Sequence, residues 1–413
     1  MSGYTSENRG GNTPTRARTR FDLRSGGAPD VRASQGHRRA LGIRWPVRIL
    51  FINLNQSRAF GGIERLMMDM AAGLAARGHR CMLLGRPAAP WIEAARRRGL
   101  EVRDDHRGIW VLRVLRTGAV MRAERPDVVV VKGKKAARMA AWSRASGLGG
   151  RTALLFGLTH ELDRRRWVDR YTWRRTDAGI TLAHGASRWY DDEGFGPLTK
   201  LHALWKGVAL EPFDAGLTAR QPMREALRIR ADEVAIGTAC RLAWQKGLDQ
   251  LFAALQLLDG RLPPARVFVI GEGRERPRIE AEARALGGRV TLLGQRDDVP
   301  ALLAALDLYV QPSRQEVMVQ TTLEAMAAAR AIVSTRTVGA DEAIEDGVSG
   351  VLVPVGDPPA MADAIAALAA APERRAALGR AARARVEGTF TIDHMVDRAE
   401  RILARIAARG STW

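Results

Sequence analysis

Two glutamates stand eight positions apart in PSRQEVMVQTTLEAMA, Pro312 to Ala327, where little else is charged. Glu316 falls in a loop, and Glu324 falls inside a helix beside Leu323, Ala325, Met326 and Ala327. Carboxylates avoid such neighbours unless something holds them there. The helix begins near Val319, so the amides from Met318 to Gln320 are free donors at its positive end, a place for an anion. Arg241 and Lys246 in ACRLAWQKGLDQL follow a strand, on a loop that feeds a helix. Fixed cations there suit a pyrophosphate, whose leaving charge they neutralise; in so basic a chain they also read as solvated surface. Gly61 and Gly62 in FGGIERLMMDM either let backbone approach an anion closely or form a tight turn. Gly271 in IGEGRERP and Gln295 in LGQRDDV stand in strand-end loops that read equally as ordinary turns. Carboxylates for neutral hydroxyls, with amides and cations for phosphate, together fit a diphosphate flanked by two polyhydroxylated rings. That is a nucleotide-sugar.

These groups need strands to present them. Short apolar runs at Val47–Asn53, 81–84, 127–131, 152–156 and 179–183 have the character of buried parallel strands, and helical patterns such as 63–78 separate most of them. The pattern breaks around 207–222 and restarts at 234–240, 266–271, 290–294, 306–311, 331–335 and 350–355. Alternation of this kind predicts an α/β chain of two doubly wound, Rossmann-like domains, which its 413 residues also require. We expect a basic tail without a core over 1–45, an amino-terminal domain over 46–210, a carboxy-terminal domain over 211–388, and a closing helix over 389–413 that packs across one domain or both. Ligands of open α/β sheets bind at the carboxyl ends of the strands, so the two domains should face each other across a cleft.

The second half resembles the retaining glycosyltransferases of GT-B architecture called glycosyltransferase family 4, or group 1 glycosyltransferases. Their E-x7-E motif is matched by Glu316 and Glu324, and RLAWQKG, GEG, LGQRDDV, LDLYVQPS, TVGADEAIEDGVSG and LVP surround it in order. The GGIE pattern from Gly61 to His79 resembles the family as well, so the likeness covers roughly residues 47–406. The resemblance implies that Arg241 and Lys246 hold the donor diphosphate and that Glu324 holds the ribose. Glu316, with the backbone of Val317, Met318, Val319 and Gln320, would contact the sugar. Gly61, Gly62, Gly271 and Gln295 would line the donor site, and His160 in FGLTHE matches the family's catalytic-site histidine. It implies transfer of a hexose-like unit with retention, by front-face attack of an acceptor hydroxyl, with no metal and no cofactor beyond the nucleoside diphosphate sugar. The chain departs from the pattern at Val317–Met318–Val319, where Gly-Phe-Gly is usual, at Val338 and Cys240, where glycine is common, and at Lys206, where asparagine is common. These changes bear on which sugar is carried.

A net charge of +20 favours polyanions: phosphorylated substrates, anionic lipid surfaces or nucleic acid. No nucleic-acid recognition motif accompanies it, so no specific nucleic-acid partner is expected. In RRRWVDRYTWRR, Trp167 and Tyr171 lie four apart in an arginine-dense helical stretch. That pattern suits a helix lying on an anionic membrane, or a solvated arginine face over two core aromatics. With no apolar run long enough to span a bilayer, no secretory h-region, and Cys81 and Cys240 far apart, a cytoplasmic setting is expected, peripheral on the inner membrane. The acceptor would then be a glycan or a lipid-linked glycan of the cell envelope, such as lipopolysaccharide. An epimerase or a donor-binding inactive relative of the same fold would present the same donor groups.

Overall fold

In the computed structural model of the chain, the described residues are 46–54, 61–87, 89–104, 109–145, 151–155 (backbone), 167–195, 197–318 and 320–408. Every strand of both sheets is parallel to its neighbours, because each return passes through a crossover segment. The first sheet has the order β3-β2-β1-β4-β5-β6-β7. Its strands are β1 (Arg48–Asn53), β2 (Arg80–Leu84), β3 (Glu101–Arg103), β4 (Val128–Lys132), β5 (Arg151–Leu155), β6 (Ala178–Thr181) and β7 (Leu201–Ala203). The second has the order β10-β9-β8-β11-β12-β13. Its strands are β8 (Val234–Ala239), β9 (Ala265–Ile270), β10 (Val290–Gly294), β11 (Leu308–Gln311), β12 (Ala331–Thr335) and β13 (Val351–Val353). The expected fold class, two Rossmann-like doubly wound sheets in an α/β chain, is therefore present.

The apolar runs are continuous because both faces of each sheet are covered. Ile49 and Phe51 of β1 join Val128 and Val130 of β4 in one core cluster, while Leu50 and Ile52 join Val129 and Val131 in another. The helices used below are α1 (Gly62–Ala76), α2 (Trp110–Glu124), α3 (Lys134–Ala145), α4 (Trp167–Arg174), α5 (His184–Tyr190), α6 (Leu248–Leu257), α7 (Gln320–Ala327), α8 (Val338–Ala343) and α9 (Ile392–Ala408).

The polypeptide passes between the two halves twice, and the passages touch: Val208 N donates to Phe390 O at 2.8 Å, and Ile392 N donates to Val208 O at 3.3 Å. After the second passage α9 packs on α1 of the first half rather than on the second sheet. Met395, Val396, Ala399, Ile402, Leu403 and Ile406 are its buried face. Arg77 donates to Glu400 at 2.8 Å, and Glu400 in turn lies 3.4 Å from His79. Burial pushes the Glu400 carboxyl up, but hydrogen bonds from His79 and Arg77 outweigh it and hold the group below the usual range. A single apolar cluster then runs from α1 and α9 through Leu204, Val208 and Phe390 to Tyr309, Met318 and Met326 of the second half.

Candidate active site

Each strand order reverses direction at one point, between β1 and β4 in the first sheet and between β8 and β11 in the second. Loops leaving adjacent strands at such a point diverge to opposite faces and open a crevice at the strands' carboxyl ends. Polar residues close three of those four strands: Asn53 of β1, Lys132 of β4 and Gln311 of β11.

On the second half, β8 runs into Arg241 and the short helical turn Trp244–Lys246, while β11 runs into the loop that carries Glu316. Gly247, at φ +63°, brings the Lys246 turn against the carbonyl of Pro312 with no room for a side chain. Lys246 Nζ consequently forms an ion pair with Glu316 Oε1. Glu316 is 6% exposed, and Ser313 Oγ donates to it at 3.2 Å. Ser313 is held in turn by Gln311 Nε2 at 2.5 Å, and Gln311 Oε1 accepts from Tyr309 Oη at 2.8 Å. Thr335 Oγ1 donates to the Ser313 carbonyl at 2.5 Å. The carboxylate is thus fixed through a chain of buried polar groups leading back into β11 and β12.

Glu324 lies in α7, with Arg65 of the first half 3.7 Å away. Burial pushes its carboxyl above the usual range, against the opposing pull of Arg65, Gln320 and Lys206. Gln320 Nε2 donates to Gly207 O at 3.4 Å, joining the start of α7 to the first passage between the halves. Met318 is buried and Val317 half-buried, and the Val317 carbonyl abuts the bare Cα of Gly339. Val319 and His160 lie outside the described residues. Arg241 is exposed at the end of β8. Gln295 is exposed past β10, an edge strand, and is separated from the β8–β11 crevice by β9. Gly271 has φ +132°, and the place its Cβ would take is occupied by the Cys240 carbonyl, so it shapes the Arg241 loop from beneath.

The first half adds groups that the sequence reading did not single out. Asn53 ends β1, Lys132 ends β4, and both reach Glu64 in the first turn of α1, at 3.4 Å each. Gly61 has no side chain, which leaves room for the Glu64 carboxylate to fold back over the helix start. Polar residues closing two otherwise apolar strands were the available signal. The halves are also latched: Glu342 of α8 accepts from the amides of His184 and Gly185 at 2.9 and 2.7 Å, and from Trp205 Nε1 at 2.6 Å.

The constellation therefore combines carboxylates fit for hydroxyls with cations fit for phosphate, all at the carboxyl ends of two parallel sheets. Residues 233–371, which span β8 to β13, match the family model described as glycosyl transferases group 1. The lipopolysaccharide core biosynthesis glycosyltransferase LpsE of Rhizobium meliloti is 27% identical over 358 residues, covering 83% of this chain and 96% of LpsE. The second half of the chain matches the group 1 glycosyltransferases. A D-inositol 3-phosphate glycosyltransferase of Saccharomonospora viridis is 35% identical, over 43% of this chain and 44% of its own length. Among solved structures, Anabaena HepE with UDP and glucose covers 87% of this glycosyltransferase and 100% of itself, at TM-score 0.73 and 21% identity. The lipopolysaccharide glycosyltransferase WaaG covers 86% of this chain and 99% of its own, at TM-score 0.64 and 19% identity. These likenesses establish the GT-B fold. In this glycosyltransferase the second half carries Lys246, Glu316 and Glu324 together, and the first half brings Arg65 and Lys206 to them.

Proposed function

We propose that this glycosyltransferase moves a hexose-like sugar from a nucleoside diphosphate sugar to an acceptor hydroxyl with retention of configuration, and that it does so without a metal. The observation that carries this reading is the Lys246–Glu316 pair seated at the β8–β11 switch point, with Glu324 one helix further on. Lys246 and Arg241 would meet the diphosphate and stabilise its charge as the glycosidic bond breaks, the part a bound cation plays elsewhere. Glu316 would accept from the sugar hydroxyls and Glu324 from the ribose, with the amides of Val317 to Gln320 facing the sugar and phosphate. His160 would stand beside the sugar and acceptor. HepE was solved with UDP-glucose, which supports a nucleotide-sugar as the donor class. LpsE acts in lipopolysaccharide core biosynthesis, which supports a cell-envelope glycan as the acceptor class.

A thermal-shift screen of UDP-, GDP- and ADP-sugars tests the donor, since a ligand that binds only the folded state raises its unfolding temperature. We expect one nucleotide series to shift the protein. No shift from any series would remove the donor assignment. The anomeric configuration of the product, read by NMR, tests retention.

We also assign the protein a peripheral place on an anionic membrane. Ile109 at 70% exposure, Leu115 at 62% and Trp167 at 66% stand out on the first half, joined by Trp110, Val111 and Leu112 of α2. Trp110 meets Trp142 of α3 edge-on at 5.9 Å, and Trp142 meets Tyr171 of α4 at 5.6 Å. Lys134, Lys135, Arg116, Arg170 and Arg174 are exposed on the same three helices, and Arg175 is exposed just past α4. Exposed rings and aliphatics amid basic side chains match the interface of a bilayer bearing anionic headgroups. Among the described residues, no helix is long and apolar enough to cross a membrane. Flotation with phosphatidylglycerol vesicles at low salt should carry the wild-type protein upward, and a Trp110→Ser, Leu115→Ser, Trp167→Ser variant should stay below. Equal flotation of both would remove this assignment.

A further inference from the structure

Lys206 ends the approach to the first passage between the halves, and its side chain turns inward: the residue is only 8% exposed. Its ammonium reaches the start of α1, where a Cβ on Gly62 would lie 2.9 Å from Nζ. A cation at the positive end of a 15-residue helix is unfavourably placed by the helix dipole alone. Lys246 and Arg65 add further positive charge around it, opposed by Glu316 and Glu324. Among the described residues, no hydrogen bond and no carboxylate within 4 Å reaches Lys206 Nζ. Burial in this company lowers its pKa. A buried lysine costs stability unless an anion joins it.

Where that anion belongs follows from its neighbours. Lys206 lies within electrostatic range of both Glu316 and Glu324. In the donor reading, on which this step rests, those residues hold the sugar and the ribose. The groups of a nucleotide-sugar that lie between its sugar and its ribose are the two phosphates. We propose that Lys206 and the amino terminus of α1 form a second anion site for the donor diphosphate, on the face opposite Lys246 and Arg241. The diphosphate would then bridge cations from both halves and supply negative charge beside the Lys206 ammonium.

The test measures binding of UDP, GDP and ADP, with the matching monophosphates and nucleosides, to the full-length protein and to its Lys206→Met and Lys206→Arg variants by titration calorimetry. For the diphosphate that wild type binds, Lys206→Met should weaken affinity roughly 30-fold, the scale of removing one partner from a buried charge pair. Nucleoside affinity should stay within about two-fold, which also shows that the variant is folded, and Lys206→Arg should recover most of the loss. Lys206→Met with unchanged diphosphate affinity would overturn the proposal, and so would an equal loss for nucleoside and diphosphate. Unchanged diphosphate affinity with a raised acceptor KM would place the ammonium on the acceptor side and overturn it likewise. Wild-type protein that binds none of the three diphosphates would instead overturn the donor reading beneath it.

Discussion

Lys246→Ala will lower kcat/KM for the donor by about 100- to 1,000-fold, the usual effect of removing one preorganised charge-stabilising group. Its unfolding temperature will move by only a few degrees, because Lys246 is half-buried on a loop turn and contributes to no core cluster. The reason lies in the role proposed for Lys246: as the sugar departs the diphosphate would gain charge, and an ammonium already fixed beside it would need no reorganisation. In the structure that ammonium is paired with Glu316. Glu316→Gln should therefore free Lys246 and tighten binding of the bare nucleoside diphosphate a few-fold, while sugar transfer falls. The double variant should be no worse than Lys246→Ala alone, since groups acting as a unit are not additive. Turnover by Lys246→Ala within ten-fold of wild type would remove Lys246 from the chemistry.

The second large effect is structural. Gly271→Ala will lower the unfolding temperature by roughly 6–12 °C, the scale of about 3 kcal/mol in a unit of this size. At φ +132° the backbone suits only glycine, and the added methyl would meet the Cys240 carbonyl. Cys240 N donates to Ile270 O and Leu242 N to Glu272 O, both at 2.9 Å, so the loop carrying Arg241 must shift with it. Donor affinity should fall in the same variant. Gly260→Ala supplies the comparison: φ is +69°, nothing lies near its Cβ, and the cost should be about 1–2 kcal/mol with donor affinity unchanged. Equal stability of the two variants by differential scanning calorimetry would refute this account of Gly271.

Much of the fold was legible because burial on both faces leaves a continuous apolar run. Val128–Lys132 and Val234–Ala239 are such strands, each with neighbours on both sides. Two strands escaped the reading, Glu101–Arg103 and Leu201–Ala203. Both are three residues long and lie at the edges of the first sheet, where one side is unpaired and polar residues are tolerated. The closing helix was legible from its strong apolar stripe. Its berth on α1 was not, because a stripe declares that a partner exists without naming it.

For the site, residue type and order along the chain determined the chemistry on offer: a paired Glu316 and Glu324, cations at strand ends, and glycines where backbone must come close. Local spacing governs a helix start or a strand-end loop, so these were within reach of sequence. Only tertiary structure decided which charges meet. Lys246 finds Glu316 across 70 residues, Arg65 approaches Glu324 from the other half, and Lys206 is drawn inward between them. Burial sets the pKa of Lys206 and Glu324, and burial is a property of packing that no local pattern records. The sequence could show a lysine where asparagine is common. The fold made it a buried ammonium that no carboxylate approaches within 4 Å among the described residues.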